Sequence, residues 1–254
     1  KRGQVRILAL SEWFPYPPHN GARMRVHNLL RQLSGQHQIV LLAFADGPVL
    51  SEHIAEIRTY CQKVEMVPLR RYQPRRVKAF LGLFTPVPRS LVATHSPEME
   101  ALVRQIVAEE SFDVIVAFAI GPGGGIARYV KELDGTPRVI EDLETSIIKD
   151  RIAIQPHWLR RQRLRLTWWK LRRYTTQLLP AMDGCTVASA KERDLLLSIA
   201  PGYSPLDVIP NGVDLECYDE DFGPPESNTL VFPGALTYNA NLWAMDFFLT
   251  EIFP

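Results

Sequence analysis

The stretch VRILALSEWFPYPPHNGARMRVHNLLRQL, Val5 to Leu33, decides how the rest of the chain is read. Its first six residues, Val5-Arg6-Ile7-Leu8-Ala9-Leu10, are a short apolar run of the kind that makes a buried strand. In the loop that follows, Pro15, Pro17 and Pro18 lack the backbone donor that helix or sheet needs, and Asn20-Gly21 turns the chain. Val26, Leu29, Leu30 and Leu33 then recur at i, i+3, i+4 and i+7, one buried stripe of a helix that starts at Asn20-Gly21. Free N–H groups and the helix dipole make such a start a site for an anion. Arg23 and Arg25 sit in that first turn, where a cation opposes the dipole by about 0.3–1 kcal/mol. A bound phosphate or a carboxylate from elsewhere would remove the conflict; solvation of both side chains is the plainer alternative.

The rest of the chain repeats the alternation. Ile39–Phe44, Val64–Val67, Val114–Ala119, Arg138–Glu144, Gly184–Ser189 and Asp207–Ile209 read as strands, and helices are expected from Ser51, Ser96, Ile126, Trp158 and Ser189. Strands alternating with helices mean a parallel sheet covered on both faces, a Rossmann-like α/β domain. It is expected to occupy residues 1–215, followed by an acidic, proline-bearing linker over 216–228. Leu230–Gly234 and Ala240–Phe253 then read as the first strand and helix of a second domain, 229–254.

Two places after strands are candidate ligand contacts. Gly121-Pro122-Gly123-Gly124-Gly125 follows the fourth strand, and Gly123 and Gly124 would let a ligand approach the backbone closely or would simply make a tight turn. Ile126 stands where a dinucleotide fingerprint needs its last glycine, and no P-loop lysine follows. Asp142 and Glu144 end the fifth strand, where acids face the ligand crevice of an open sheet or cap the next helix.

The chain has 254 residues, 46% hydrophobic and 22% charged, with a net charge of +1, which is ordinary globular composition. No apolar run approaches the roughly 18 residues of a membrane span. Cys61, Cys185 and Cys217 are odd in number and widely spaced, which argues against a disulfide framework or a zinc site and points to a reducing cytoplasm. The charge is unevenly laid out. Arg70, Arg71, Arg75, Arg76, Lys78 and Arg89 lie in an acid-free segment, and Arg151–Arg173 is a second one. Such islands suggest an anionic partner. In the segment from Arg70, the apolar knot Phe80-Leu81-Gly82-Leu83-Phe84 either docks on the domain or touches a membrane. On the long helix from Trp158, Leu166, Trp169 and Arg173 fall off the buried stripe, an amphipathic surface suited to a membrane interface or a partner. Arginine-rich as it is, the chain carries no nucleic-acid-binding motif.

Three ordered signatures carry a resemblance. Pro17-Pro18-x-x-Gly21-x-x-x-Arg25, Ser189-x-x-Glu192 and Val208-Ile209-Pro210-Asn211-Gly212-Val213-Asp214 resemble the amino-terminal domain of group 1 (family 4) glycosyltransferases of the GT-B, retaining kind, in the version found in bacterial exopolysaccharide systems. Gly234, Tyr238 and Asn241 resemble the opening of that family's second domain. The resemblance implies an acceptor-binding half of an enzyme that transfers sugar from a nucleotide-sugar to a glycan or lipid-linked acceptor. In that picture Asn20, Gly21 and Arg25 serve the donor phosphates, Asp142 or Glu144 meets acceptor hydroxyls, and an anionic surface on the inner face of the plasma membrane is a further partner. No cofactor or metal is implied, and no catalytic base can be named; no two glutamates stand in the family's E-x7-E spacing, so the resemblance implies that the donor site is missing from this chain. A non-enzymatic Rossmann-like module for a membrane or protein partner is the rival reading.

Overall fold

The computed structural model of the protein describes residues 3–119, 124–213, 215, 223–224, 226–236 and 239–253. Seven strands make one sheet: β1 (Arg6–Ser11), β2 (Gln38–Ala45), β3 (Lys63–Pro68), β4 (Val114–Phe118), β5 (Arg138–Glu141), β6 (Gly184–Val187) and β7 (Leu206–Val208). Their order is β3-β2-β1-β4-β5-β6-β7, with every pairing parallel. The chain winds outward from β1 to β3, then returns to the other side of β1 to place β4, so the winding reverses between β1 and β4. Ligands of open parallel sheets bind outside the carboxyl ends of the strands at such a reversal.

The two faces are covered separately, as the alternation of strand side chains requires. Ile7 and Ala9 of β1, with Ile39 and Leu41 of β2, belong to one cluster with Val26 and Leu30 of helix α1 (Gly21–Ser34) and Ile57 of α2 (Ser51–Arg58). Leu8, Leu10, Val40 and Leu42 point the other way. They join Met99, Val103 and Ile106 of α5 (Pro97–Glu109), Tyr174 and Leu178 of α7 (Trp158–Leu178), and Leu196 and Ile199 of α8 (Ala190–Ile199). This is the expected Rossmann-like sheet with helices on both faces. Local caps act where the sequence puts them: Asn20 Oδ1 accepts from Arg23 N at 2.9 Å, Ser96 Oγ from Met99 N at 3.3 Å and Ser189 Oγ from Glu192 N at 3.2 Å.

Three elements differ from the sequence reading. The helix expected from Ile126 is only a 3-10 turn over Gly125–Tyr129, and α6 (Ser146–Ile154) begins after an irregular Asp142–Thr145 link instead of a β5 prolonged to Glu144. Leu230–Gly234 is exposed and makes no strand. A strand forms only where a neighbour takes its backbone groups, and none of the described residues of its unit supplies one.

The chain divides into two compact units, Lys1–Asn211 and Gly212–Pro254. Within the second, α9 (Asn239–Phe247) runs into a π-helical turn, Phe248–Ile252. Tyr238 and Asp214 of the sequence signatures lie outside the described residues.

The acid-free segment after β3 folds into two short helices, α3 (Val77–Leu81) and α4 (Arg89–Ala93). Its backbone is held from two sides. Arg89 Nε donates to Ala79 O at 2.7 Å, and the buried ammonium of Lys170 on α7 donates to Gly82 O and Leu83 O at 2.9 and 2.8 Å. Ala79 and Leu91 are buried and Val87 packs on the core, while Phe80 and Phe84 stay exposed. Lys170→Ala should let this segment open without unfolding the sheet. Tryptic cleavage between Arg70 and Arg89 should accelerate roughly tenfold, equivalent to about 1.4 kcal/mol of lost local stability; an unchanged cleavage rate would show that Lys170 does not hold the segment.

Candidate functional site

Register lines up the carboxyl ends of three strands. Ser11 of β1 pairs with Phe118 of β4, and Phe118 with Glu141 of β5, so Glu12, Ala119 and Asp142 stand one residue beyond on the same edge. Gly21 and Arg25 open α1 directly above β1.

Arg25 is the hub of this edge. Its Nε and Nη2 both donate to Glu141 Oε1, at 2.8 and 2.5 Å; Nη2 also donates to Ile209 O at 2.8 Å, and Nη1 to Asn211 Oδ1 at 2.8 Å. Asp142 Oδ2 lies 3.5 Å from Nε. The guanidinium is 8% exposed and the Glu141 side chain 9%. Arg23 finds its own carboxylate, Asp46, at 2.8 Å, and lies over the Trp13 ring. The conflict between these cations and the dipole of α1 is thus removed by carboxylates of the chain, and solvation is not what resolves it.

Burial pushes the Glu141 carboxyl above its ordinary range, and the hydrogen bond and charge of Arg25 offset only part of that. Asp142 is raised too, chiefly by burial, with Arg25 pulling the other way. Asp142 takes a left-handed backbone, φ 58°, which strains a residue with a Cβ. What holds it there is visible: its N–H donates to Thr186 Oγ1 at 3.1 Å, and Leu143 N to Thr186 O at 3.0 Å. The strain keeps one acid of the edge facing outward, its side chain 33% exposed.

A third carboxyl closes the reversal point. Glu12 Oε1 accepts from Ile126 N at 3.0 Å, tying the end of β1 to the turn after β4. The fit is close: a Cβ on Gly125 would come 2.8 Å from that oxygen, and one on Gly124 would come 2.9 Å from Leu143 Cδ1. Gly124 has φ +62°, so both its conformation and its surroundings demand glycine. Burial raises Glu12 to about 7, with Arg128 opposing. Close by, Tyr174 Oη and Arg128 Nε are buried without a hydrogen-bond partner.

Over residues 19–217 the sequence matches the model of Glycosyltransferase Family 4. The chain belongs to glycosyltransferase family 4. No curated protein matches it by sequence. Solved structures similar to this family 4 chain include a UDP-glucosyltransferase of Polygonum tinctorium capable of glucosylating indoxyl, at 11% identity and a TM-score of 0.46, covering 89% of this chain and 56% of that one. Another is UGT71G1 of Medicago truncatula with UDP-glucose, at 12% identity and a TM-score of 0.49, covering 88% and 54%. The chain spans little more than half the length of these structures.

The family's three signatures sit differently in the fold. Arg25 joins the first to the third, since Ile209 and Asn211 are its partners. Glu192 of the second is buried: its Oε1 accepts from Thr145 N and Thr145 Oγ1, both at 2.6 Å, and from Ser146 N at 3.2 Å, capping α6. Gly21 is exposed, with nothing within 4 Å of where a Cβ would stand. Glu144 is exposed beside the edge, and Gly123 lies outside the described residues. Leu166, Trp169 and Arg173 are exposed on α7, remote in sequence from these acids. Among the described residues, no three His, Cys, Asp or Glu side chains are grouped to hold a metal ion.

Glu12 and Glu141 were not among the sequence candidates. The rule that selected Asp142, an acid just past the carboxyl end of a parallel strand, selects Glu12 as well.

Arg25→Ala would leave Glu141 buried without its cation, and breaking such a pair costs about 3–5 kcal/mol. Denaturant unfolding should show a loss of that size, part of it recovered by adding Glu141→Gln; a loss under about 0.5 kcal/mol would mark Arg25 as a surface residue. Glu12 holds a proton in the folded protein that it lacks when unfolded between about pH 4.5 and 7. Its contribution to stability therefore falls as pH rises through that window and is flat above it. Glu12→Gln should make the fall shallower by about 1 kcal/mol per pH unit in thermal or denaturant unfolding, and an unchanged slope would contradict the assignment.

Proposed function

We propose that this chain is the acceptor-binding half of a retaining glycosyltransferase, one that moves a sugar from a nucleotide-sugar to a glycan or lipid-linked acceptor in polysaccharide biosynthesis. In this reading residues 1–215 form the acceptor domain, 216–228 a linker and 229–254 the start of the donor domain. The protein works in the cytoplasm, against the inner face of the plasma membrane. The observation that carries the reading is the family 4 match over residues 19–217, whose signature residues Gly21, Arg25 and Asn211 gather at one sheet edge.

The roles divide by what each side chain is free to do. Gly21, with open space beside it, lets the backbone at the start of α1 approach the donor diphosphate, and the dipole of α1 favours the anion. Asn20 fixes that start by its cap to Arg23 N. Arg25 supports the site indirectly: enclosed by Glu141, Ile209 and Asn211, it positions the loop and does not grip the ligand itself. Asp142 and Glu144 offer acceptors to sugar hydroxyls, beside the turn after β4.

The test uses the protein expressed from its complete reading frame. Release of nucleotide from a panel of nucleotide-sugars should be measured with polyprenyl-linked and soluble glycan acceptors. Gly21→Val has space to fold, so it should leave stability within about 0.5 kcal/mol of wild type. It should cut transfer roughly a hundredfold or more, the order expected when a backbone donor to a developing charge is blocked. Unchanged transfer would remove Gly21 from the donor site, and no transfer with any donor would sink the enzymatic reading.

A further inference from the structure

The segment between β3 and α5 has a construction that the sugar-transfer site does not explain. Leu69, Arg70, Arg71, Gln73, Arg76, Lys78 and Ala93 line a depression of about 450 Å³. No acid is among them. Arg70 is paired with Glu98 at 2.6 Å, and Arg71 donates to the carbonyl of Asp46 at 2.9 Å. Among the described residues, the side chains of Arg76 and Lys78 have no hydrogen-bonding or ionic partner; only their backbone groups are bonded, in the turns and helix of the segment. Three of the four positive charges are therefore unneutralised, which makes the depression a receptor for an anion with several oxygens.

Directly beside it, α3 and the turn after it turn apolar groups outward. Val77 is 73% exposed and Phe84 77%, while Phe80 and Leu81 are each more than half exposed, and the two phenyl rings meet edge to face at 5.6 Å. A loose loop could expose such residues by accident, but this one is fastened. Arg89 binds the carbonyls of Ala79 and Pro74, and Lys170 those of Gly82 and Leu83. A Cβ on Gly82 would come within 3.0 Å of the Arg89 backbone, so the two short helices are packed as closely as they can be. The backbone is fastened and Ala79 and Leu91 are buried, while Val77, Phe80, Leu81 and Phe84 stay exposed. Lys170 is one turn from Leu166 and from Arg173 along α7, at i+4 and i−3.

We infer that this surface docks on an anionic phospholipid bilayer: lipid phosphates enter the depression at Arg76 and Lys78 while Phe80, Leu81 and Phe84 insert among the acyl chains. Cations in a pocket beside an outward aromatic pair match an interface that is charged on one side and apolar on the other. The inference rests on the membrane-side working place proposed above, and it names the residues that would hold the protein there.

Co-sedimentation with vesicles tests it, using phosphatidylglycerol in phosphatidylcholine against phosphatidylcholine alone. Wild-type protein should bind the anionic vesicles, lose binding as salt is raised, and leave neutral vesicles alone. Arg76→Glu with Lys78→Glu, and separately Phe80→Ser with Phe84→Ser, should each weaken binding roughly tenfold or more. All four side chains are exposed, so circular dichroism melts should match the wild type. Equal binding to neutral vesicles would overturn the phosphate site. Anionic binding that survives the Arg76 and Lys78 changes would overturn its location. Tight calorimetric binding of inorganic pyrophosphate with no vesicle binding would mean a soluble phosphate ligand and refute the bilayer. Transfer to a soluble glycan by the complete protein should be the same in all these variants, so failure of docking is distinguishable from failure of the transferase reading.

Discussion

One buried ion pair organises the working edge of this protein. Arg25 enters from the first turn of α1, where its charge opposes the helix dipole, and meets Glu141 at the end of β5. Separately, each charge would be costly to enclose. Together they satisfy each other, and the remaining donors of the guanidinium take Ile209 O and Asn211 Oδ1. Four parts of the chain meet there: the proline-rich loop through α1, the end of β5, the strained Asp142 and the segment after β7. Asn211 is also the last residue of the first compact unit, so the same arginine fixes where the chain leaves the sheet. A residue that reads as a phosphate ligand in the sequence is, in the fold, enclosed by Glu141, Ile209 and Asn211.

Glu12 plays the matching part on the other side of the reversal. It bridges β1 to the turn after β4 by one hydrogen bond to Ile126 N, and its tight fit against Gly125 leaves little freedom in that turn. Burial favours its neutral form, so the bridge avoids adding another negative charge to an edge that already carries Glu141 and Asp142. The edge thus carries three carboxyls in different settings: Glu12 with its neutral form favoured by burial, Glu141 paired with Arg25, and Asp142 with a third of its side chain exposed.

The basic segment follows a different logic. Arg70 meets Glu98, but Arg76 and Lys78 meet no carboxylate among the described residues; Ala79 and Leu91 are buried, whereas Phe80, Leu81 and Phe84 stay exposed on a backbone anchored by Arg89 and Lys170. No helix among the described residues is long and apolar enough to cross a membrane.

The sequence by itself determined whatever depends on neighbours a few residues away. The strand–loop–helix from Val5 to Leu33, the caps at Asn20, Ser96 and Ser189 and the alternation that makes a two-faced parallel sheet are local or periodic, and they appear as read. Acids at Asp142 and Glu144 could be found because strand ends face the crevice of such sheets. The tertiary structure alone decided who pairs with whom. Arg25 and Glu141 are 116 residues apart and Glu12 and Ile126 are 114 apart, and nothing periodic links them. Nor could spacing show that Glu192 is consumed in capping α6, or that Lys170, within a basic run that suggests an anionic partner, is buried on two carbonyls. The energy of such contacts depends on desolvation, and desolvation is a property of the packed sheet and its helices that no local stretch of sequence carries.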